Sequence, residues 1–155
     1  MMRLKIFRRI LVILLVIVVF WSWSEIATPS TYRYPHSVAD AVCVELLRNH
    51  NTDAFASDDR KFELLKVLEG EGMTTFLSAV RNLETSYCIT PPPRGYGEYV
   101  ARVTYANGDV EYYGTWHIEF VKSGEARTGV GSYSFRDNAL ESLILEYCGL
   151  TPEKK

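Results

Sequence analysis

YVARVTYANGDVEYYGTWHIEFV, running from Tyr99 to Val121, is the stretch that decides the fold. Two runs rich in β-branched and aromatic residues flank Asn107-Gly108, the dipeptide that favours a two-residue type I′ hairpin turn. With Ala106 facing Asp109, the turn sets Tyr105 against Val110, Val103 against Tyr112, Ala101 against Gly114 and Tyr99 against Trp116. These residues are apolar or small and share one face. The other face receives Thr104 with Glu111, Arg102 with Tyr113, Val100 with Thr115 and Glu98 with His117, and is mostly polar. A slip of one residue would invert the pattern, so the expected register is the one that keeps the faces distinct.

Outward from this hairpin, a further strand over Thr128 to Phe135 is expected to return through a turn at Ser123-Gly124; a two-residue loop pairs Trp116 with Gly131, and a four-residue loop shifts the pairs by two and keeps the same faces. A short strand at Ser86 to Thr90 can join the same sheet. Asp137 reads as the cap of a last helix that turns Leu140, Leu143, Ile144 and Tyr147 inward, with Gly149 just past its end and Pro152 preventing continuation. Before the sheet, three helices are expected. The first begins at Ser37, with Asp40 completing a capping box, and is apolar nearly all round to about Asn49. The second starts at Ser57 and ends at Gly70; the third covers roughly Thr74 to Leu83, with Phe76, Leu77, Val80 and Leu83 as its stripe. The class is therefore α+β: N-terminal helices, an antiparallel meander of three to four strands, and a C-terminal helix.

The chain opens differently. Arg3, Lys5, Arg8 and Arg9 precede an apolar run from Ile10 to Trp23 broken only by Ser22, and the far flank offers Glu25 before any cation. Lys and Arg collect on cytoplasmic flanks, so the N-terminus is expected inside and the rest of the chain outside. About 14 apolar residues suit a signal-peptide core and fall short of the ~20 that span a bilayer. Snorkelling of Arg8 and Arg9 and the interfacial Trp21 and Trp23 lengthen the span. An uncleaved transmembrane anchor and a removed signal both remain open, the latter giving a secreted or periplasmic protein. The expected organisation is an anchor or signal over 1–27, an extended stalk over 28–36 and an extracytoplasmic domain over 37–155.

Of 155 residues, 17 are Lys or Arg and 19 Asp or Glu, a net charge of −2; beyond residue 27 the balance is 13 to 18. An acidic domain with scattered cations lacks the electrostatic footprint of a nucleic-acid binder. Cys43, Cys88 and Cys148 show no CxxC spacing. Outside the cytoplasm one pair could close, Cys43 with Cys148 tying the first helix to the last; three buried thiols are the alternative.

Candidate sites are few. His117 has Glu98, Glu119, Tyr113 and Arg102 for neighbours on the polar face, a setting for a general base or for an ordinary solvated face. No second His stands at ligand spacing and no GxSxG motif occurs. Asp53, Asp58 and Asp59 cluster without the spacing of a calcium loop. Thr90 to Gly97 holds Pro91, Pro92 and Pro93, a stiff rod that serves as connector or docking element, with Arg94 and Tyr96 as the side chains suited to an interface hot spot. Tyr113 and His117 would line a concave surface if the sheet curls. No cofactor or metal is called for. The expected function is a membrane-tethered, non-enzymatic binding domain for a protein or small ligand, its partners the lipid bilayer and a protein, with no nucleic acid. An accessory subunit of a membrane complex and a small enzyme using His117 are the alternatives.

Overall fold

A computed structural model describes residues 9–20, 31–50, 62–88, 96–125 and 132–151. Two units separate, Met1–Ser30 and Thr31–Lys155. In the first, residues 9–20 form helix α1, and each of Ile10 through Phe20 is 51–76% exposed. Twelve helical residues measure about 18 Å against a hydrocarbon core of about 30 Å. Among the described residues no helix is long and apolar enough to cross a membrane.

The second unit is α+β, built on one seven-stranded sheet whose described pairings are all antiparallel. Its elements are β1 (Ala41–Asn49), β2 (Phe62–Leu68), α2 (Gly70–Arg81), β3 (Thr85–Cys88), β4 (Tyr99–Tyr105), β5 (Val110–Gly114), β6 (Ile118–Val121), β7 (Ser132–Phe135) and α3 (Ala139–Cys148). The strand order is β2-β1-β4-β5-β6-β7-β3. β4 to β7 form the expected meander, and α2 links the two edge strands, β2 and β3.

Seven strands replace the expected three to four, for two reasons. First, the apolar stretch after Ser37 is not a helix. Ser37 and Asp40 do form their capping interaction, but it closes a single 3-10 turn at Val38–Asp40 before the chain extends into β1. β1 lies between β2 and β4, with Val44 and Leu46 in the core on the helix side and Leu47 in a second cluster on the opposite side. With Val44 and Leu46 buried on one face and Leu47 on the other, the apolar run of β1 shows no period of two and imitates a helix. The helix expected over 57–68 gives way to β2 in its described part; its Ser57 start, like Asp53, Asp58 and Asp59, lies outside the described residues.

Second, the expected strand from Val110 to Val121 is a hairpin. Gly114 N–H donates to His117 O at 2.9 Å, and Thr115-Trp116 make the turn. The Tyr96 backbone crosses here so closely that a β-carbon on Gly114 would lie 2.3 Å from the Tyr96 carbonyl oxygen. Only glycine fits.

The β4–β5 register also differs, by one residue. Tyr105 N–H donates to Asp109 O and Gly108 N–H to Tyr105 O, both at 2.9 Å, so the loop holds three residues. Gly108 takes φ +86°, whereas Asn107 does not enter the positive-φ region that a type I′ turn demands of it. This is a type I turn closed by a glycine bulge, with Asp109 N–H donating to the Asn107 side-chain oxygen at 3.0 Å. Val103 thus faces Glu111, and Ala101 faces Tyr113. β4 keeps its expected faces, while β5 turns over: Glu111 and Tyr113 join the helix side and Tyr112 leaves it.

The helices need smaller corrections. α2 begins at Gly70, expected as the end of the preceding helix, and buries Met73, Phe76, Leu77 and Val80. Asp137 does not cap α3; it and Asn138 take φ 54° and 55° after β7, a conformation that Asp and Asn tolerate better than most residues. Gly149 ends α3 as expected, at φ +67°, with Leu150 N–H returning to Leu145 O at 2.9 Å. The Ser123-Gly124 turn is present, Glu125 N–H donating to Lys122 O at 3.0 Å, and β7 pairs Tyr133 with Ile118 of β6; Gly131 lies outside the described residues.

Candidate functional site: a tyrosine-caged carboxylate under a strap

Turning β5 over brings a glutamate into the core. Glu111 is 0% exposed. Removing a carboxylate from water costs several kcal/mol unless hydrogen bonds replace the lost hydration. Here phenols replace it. Tyr105 and Tyr113, from β4 and β5 themselves, donate to Oε2, the latter at 2.6 Å. The third donor, Tyr32, reaches Oε1 at 2.5 Å from 79 residues away in the chain. Each donor is neutral. Burial, then the negative charge of Glu111, pushes the Tyr32, Tyr105 and Tyr113 phenols well above the ordinary tyrosine range. Tyr34 is pushed up to about 12 by the same two effects, against the opposing charge of Arg81. The cage therefore keeps its protons at any physiological pH, and it is a set of charge-assisted hydrogen bonds rather than an ion pair.

Tyr32 belongs to residues 31–38, which alternate exposed and partly buried with a period of two: Tyr32, Tyr34, His36 and Val38 turn toward the core. The segment expected as stalk thus contributes its last residues to the folded unit, which starts at Thr31. We call this extended piece the strap. Tyr32 meets Tyr34 and Tyr133 edge-on at 5.0 and 5.2 Å between ring centres, and its N–H donates to Thr85 Oγ1 at 3.0 Å. Tyr34 stands edge-on to Tyr113 at 5.9 Å and under the Arg81 guanidinium at 4.9 Å. Arg81 also donates from Nη2 to the His36 carbonyl at 2.6 Å, so one side chain of α2 clamps two strap residues.

His36 is the third inward residue of the strap. Its ring lies 4.4 Å from that of Tyr105 and 5.8 Å from that of Phe120, and Nε2 meets Asp109 Oδ2 at 2.7 Å. Asp109 is fixed by the hairpin turn, accepting from Asn107 Nδ2 at 2.8 Å and from Ser123 N–H at 2.8 Å. The Ser123 amide, with His36 and Asn107, holds the Asp109 carboxyl below the usual carboxylate range. Three alternate strap residues thus meet three residues of β4–β5: Glu111, Tyr113 and Asp109.

The residues singled out from sequence are not gathered here, Tyr113 excepted. Arg94 lies outside the described residues. Tyr96 is 2% exposed, its ring 5.7 Å from Tyr112 and 5.4 Å from His117 on the opposite sheet face. His117 is buried at 3%, not solvated, because the turn at Thr115-Trp116 directs it inward. Burial lowers its pKa and favours neutral imidazole. Cys43 and Cys148 are half-buried free thiols, each with its pKa raised by burial; with β1 in place of the first helix, the expected tie between two helices has no counterpart. Among the described residues no group of three or more His, Cys, Asp or Glu is placed to hold a metal ion.

One sequence signal pointed to the cage. Tyr32, Tyr34 and His36 recur with period two in the segment expected as a stalk, which is the mark of an extended chain with one face against a core. Comparison with known proteins finds no matching family model, no matching curated protein and no matching solved structure.

Proposed function

We propose that the protein is a membrane-tethered, extracytoplasmic binding domain without catalytic activity. The observation that carries the reading is the surface of α1. Eleven consecutive apolar side chains, Ile10 to Phe20, are each more than half exposed, on every side of the helix. A helix apolar all round belongs in a protein core or in lipid. Arg3, Lys5, Arg8 and Arg9 before it, and no cation after it until Arg33, favour the N-terminus on the cytoplasmic side. Fusing a phosphatase active only outside the cytoplasm, or a fluorescent protein that matures only inside, to Lys155 tests the topology. Phosphatase activity with dark fluorescence is expected, and the reverse pair rejects the proposal.

A second reading has one observation in its favour. His117 is buried and its pKa is lowered, as a general base would require, beside the ring of Tyr96. Its test is His117→Ala. The binding reading expects activity to persist in a folded variant; activity abolished with the fold intact reverses the order of the two readings.

A further inference from the structure

Among the described residues, the strap is held differently from the seven strands of the second unit. It joins no sheet ladder: its described backbone bonds to the rest of the domain, Tyr32 N–H to Thr85 Oγ1 and Arg81 Nη2 to His36 O, both use side chains as partners. The remaining attachment is by its own alternate side chains. Such a segment can leave without breaking a strand pairing, and what it would leave behind is a groove of defined chemistry. Glu111 Oε1 loses a donor, Asp109 loses a base, and the guanidinium of Arg81 loses a ring and a carbonyl. Tyr113, Tyr133, Tyr105 and Phe120 would line it.

We propose that this groove is a peptide-recognition seat whose resting occupant is the chain's own strap, and whose ligand in trans is an extended segment of another protein. The segment carries aromatic side chains at positions i and i+2 and a base at i+4. The chemistry of each subsite sets the requirement. Glu111 asks for a phenolic donor at i, Arg81 and Tyr113 for an aromatic ring at i+2, and Asp109 for a histidine or other cation at i+4. Arg81 would hold the ligand backbone through the carbonyl it now takes from His36. The strap then acts as a lid, competing at the millimolar effective concentration typical of a short tether, so a ligand must either bind tightly or arrive when the strap is drawn away. This inference rests on the binding-domain reading and supplies its ligand class.

Arg33 offers the readout, since its side chain is exposed between Tyr32 and Tyr34 and a protease must pull several strap residues off the domain to cut after it. The experiment uses the full chain in detergent micelles. The probe is a synthetic peptide copying Thr31 to Val38 with glutamine at the Arg33 position, so that trypsin spares it. Excess probe is expected to speed trypsin cleavage of the Arg33–Tyr34 bond at least fivefold, while a peptide with the two tyrosines adjacent leaves the rate unchanged. The labelled probe is also expected to bind full-length Tyr32→Ala/Tyr34→Ala/His36→Ala at least tenfold more tightly than the wild-type chain. Should that variant fail to fold, the cleavage experiment on the wild-type chain decides alone. Equal effects of the two peptides, or no acceleration at saturating probe, would overturn the seat. A concentration-dependent dimer that protects Arg33 would assign the groove to a second copy and overturn the partner named here. Micelles remove compartment and topology from the result, so it stands or falls separately from the reporter fusions.

Discussion

The two faces of the central strands handle buried polarity in opposite ways. On the helix side, Glu111 has no solvent access and depends on Tyr32, far away in sequence, for one of its three described donors. On the opposite side, Arg102 and Glu45 sit directly across from one another on β4 and β1, joined at 2.5 Å and each about a quarter exposed. Around that pair the apolar cover is Leu47, Val100, Tyr112 and the folded-back ring of Tyr96. Polarity satisfied by a cross-strand neighbour is cheap and local. Polarity satisfied by a distant strap makes the fold of one segment conditional on the docking of another.

The largest expected effect follows on the helix side. Glu111→Ala leaves three phenols without their acceptor and opens a void. It should cost about 3 kcal/mol in urea unfolding, and a loss below 1 kcal/mol would mean that the cage is not a stabilising centre. Next is Gly114→Ala on the opposite face. Its new methyl group collides with the Tyr96 backbone, and a loss of about 2–3 kcal/mol is expected; a neutral result would show that Tyr96 does not pack against β5. Tyr32→Phe keeps the ring and deletes one hydroxyl, for about 1–2 kcal/mol, with faster hydrogen exchange in the strap but not in β1.

Two smaller effects belong to the opposite face. His117 is neutral when folded, and burial lowers its pKa below that of the unfolded chain. As pH falls through the ordinary histidine range the unfolded state takes up a proton first, so stability declines toward acid, by at most about 1.4 kcal/mol per pH unit for one site. His117→Gln should flatten that decline relative to wild type between pH 7 and 5; an unchanged slope would place the titration elsewhere. Arg102→Ala should cost least of all, under about 1 kcal/mol, since the pair is partly solvated.

What could be read from the sequence divides along the same line. α3 with its Gly149 terminus, the Phe76-Leu77-Val80 stripe and the meander from Tyr99 onward follow from local patterns, and the structure keeps them. β1 was illegible as a strand because a two-sided burial pattern carries no period. The hairpin register turned on whether Asn107 or the chain beyond it absorbed the turn. The two-residue loop that Asn107-Gly108 favours keeps Glu111 on the polar face, whereas the three-residue loop of the structure turns it into the core. Two of those donors were in the hairpin, and the third stood in a segment expected as a stalk. The cage became readable only with the tertiary contact in hand.

The most direct test of that contact is a double-mutant cycle between Tyr32→Phe and Glu111→Gln, read by urea unfolding. A coupling of about 1–2 kcal/mol is expected if the strap hydroxyl rests on this carboxylate. Additivity of the two losses within about 0.3 kcal/mol would contradict it, and with it the strap as a seated, releasable element.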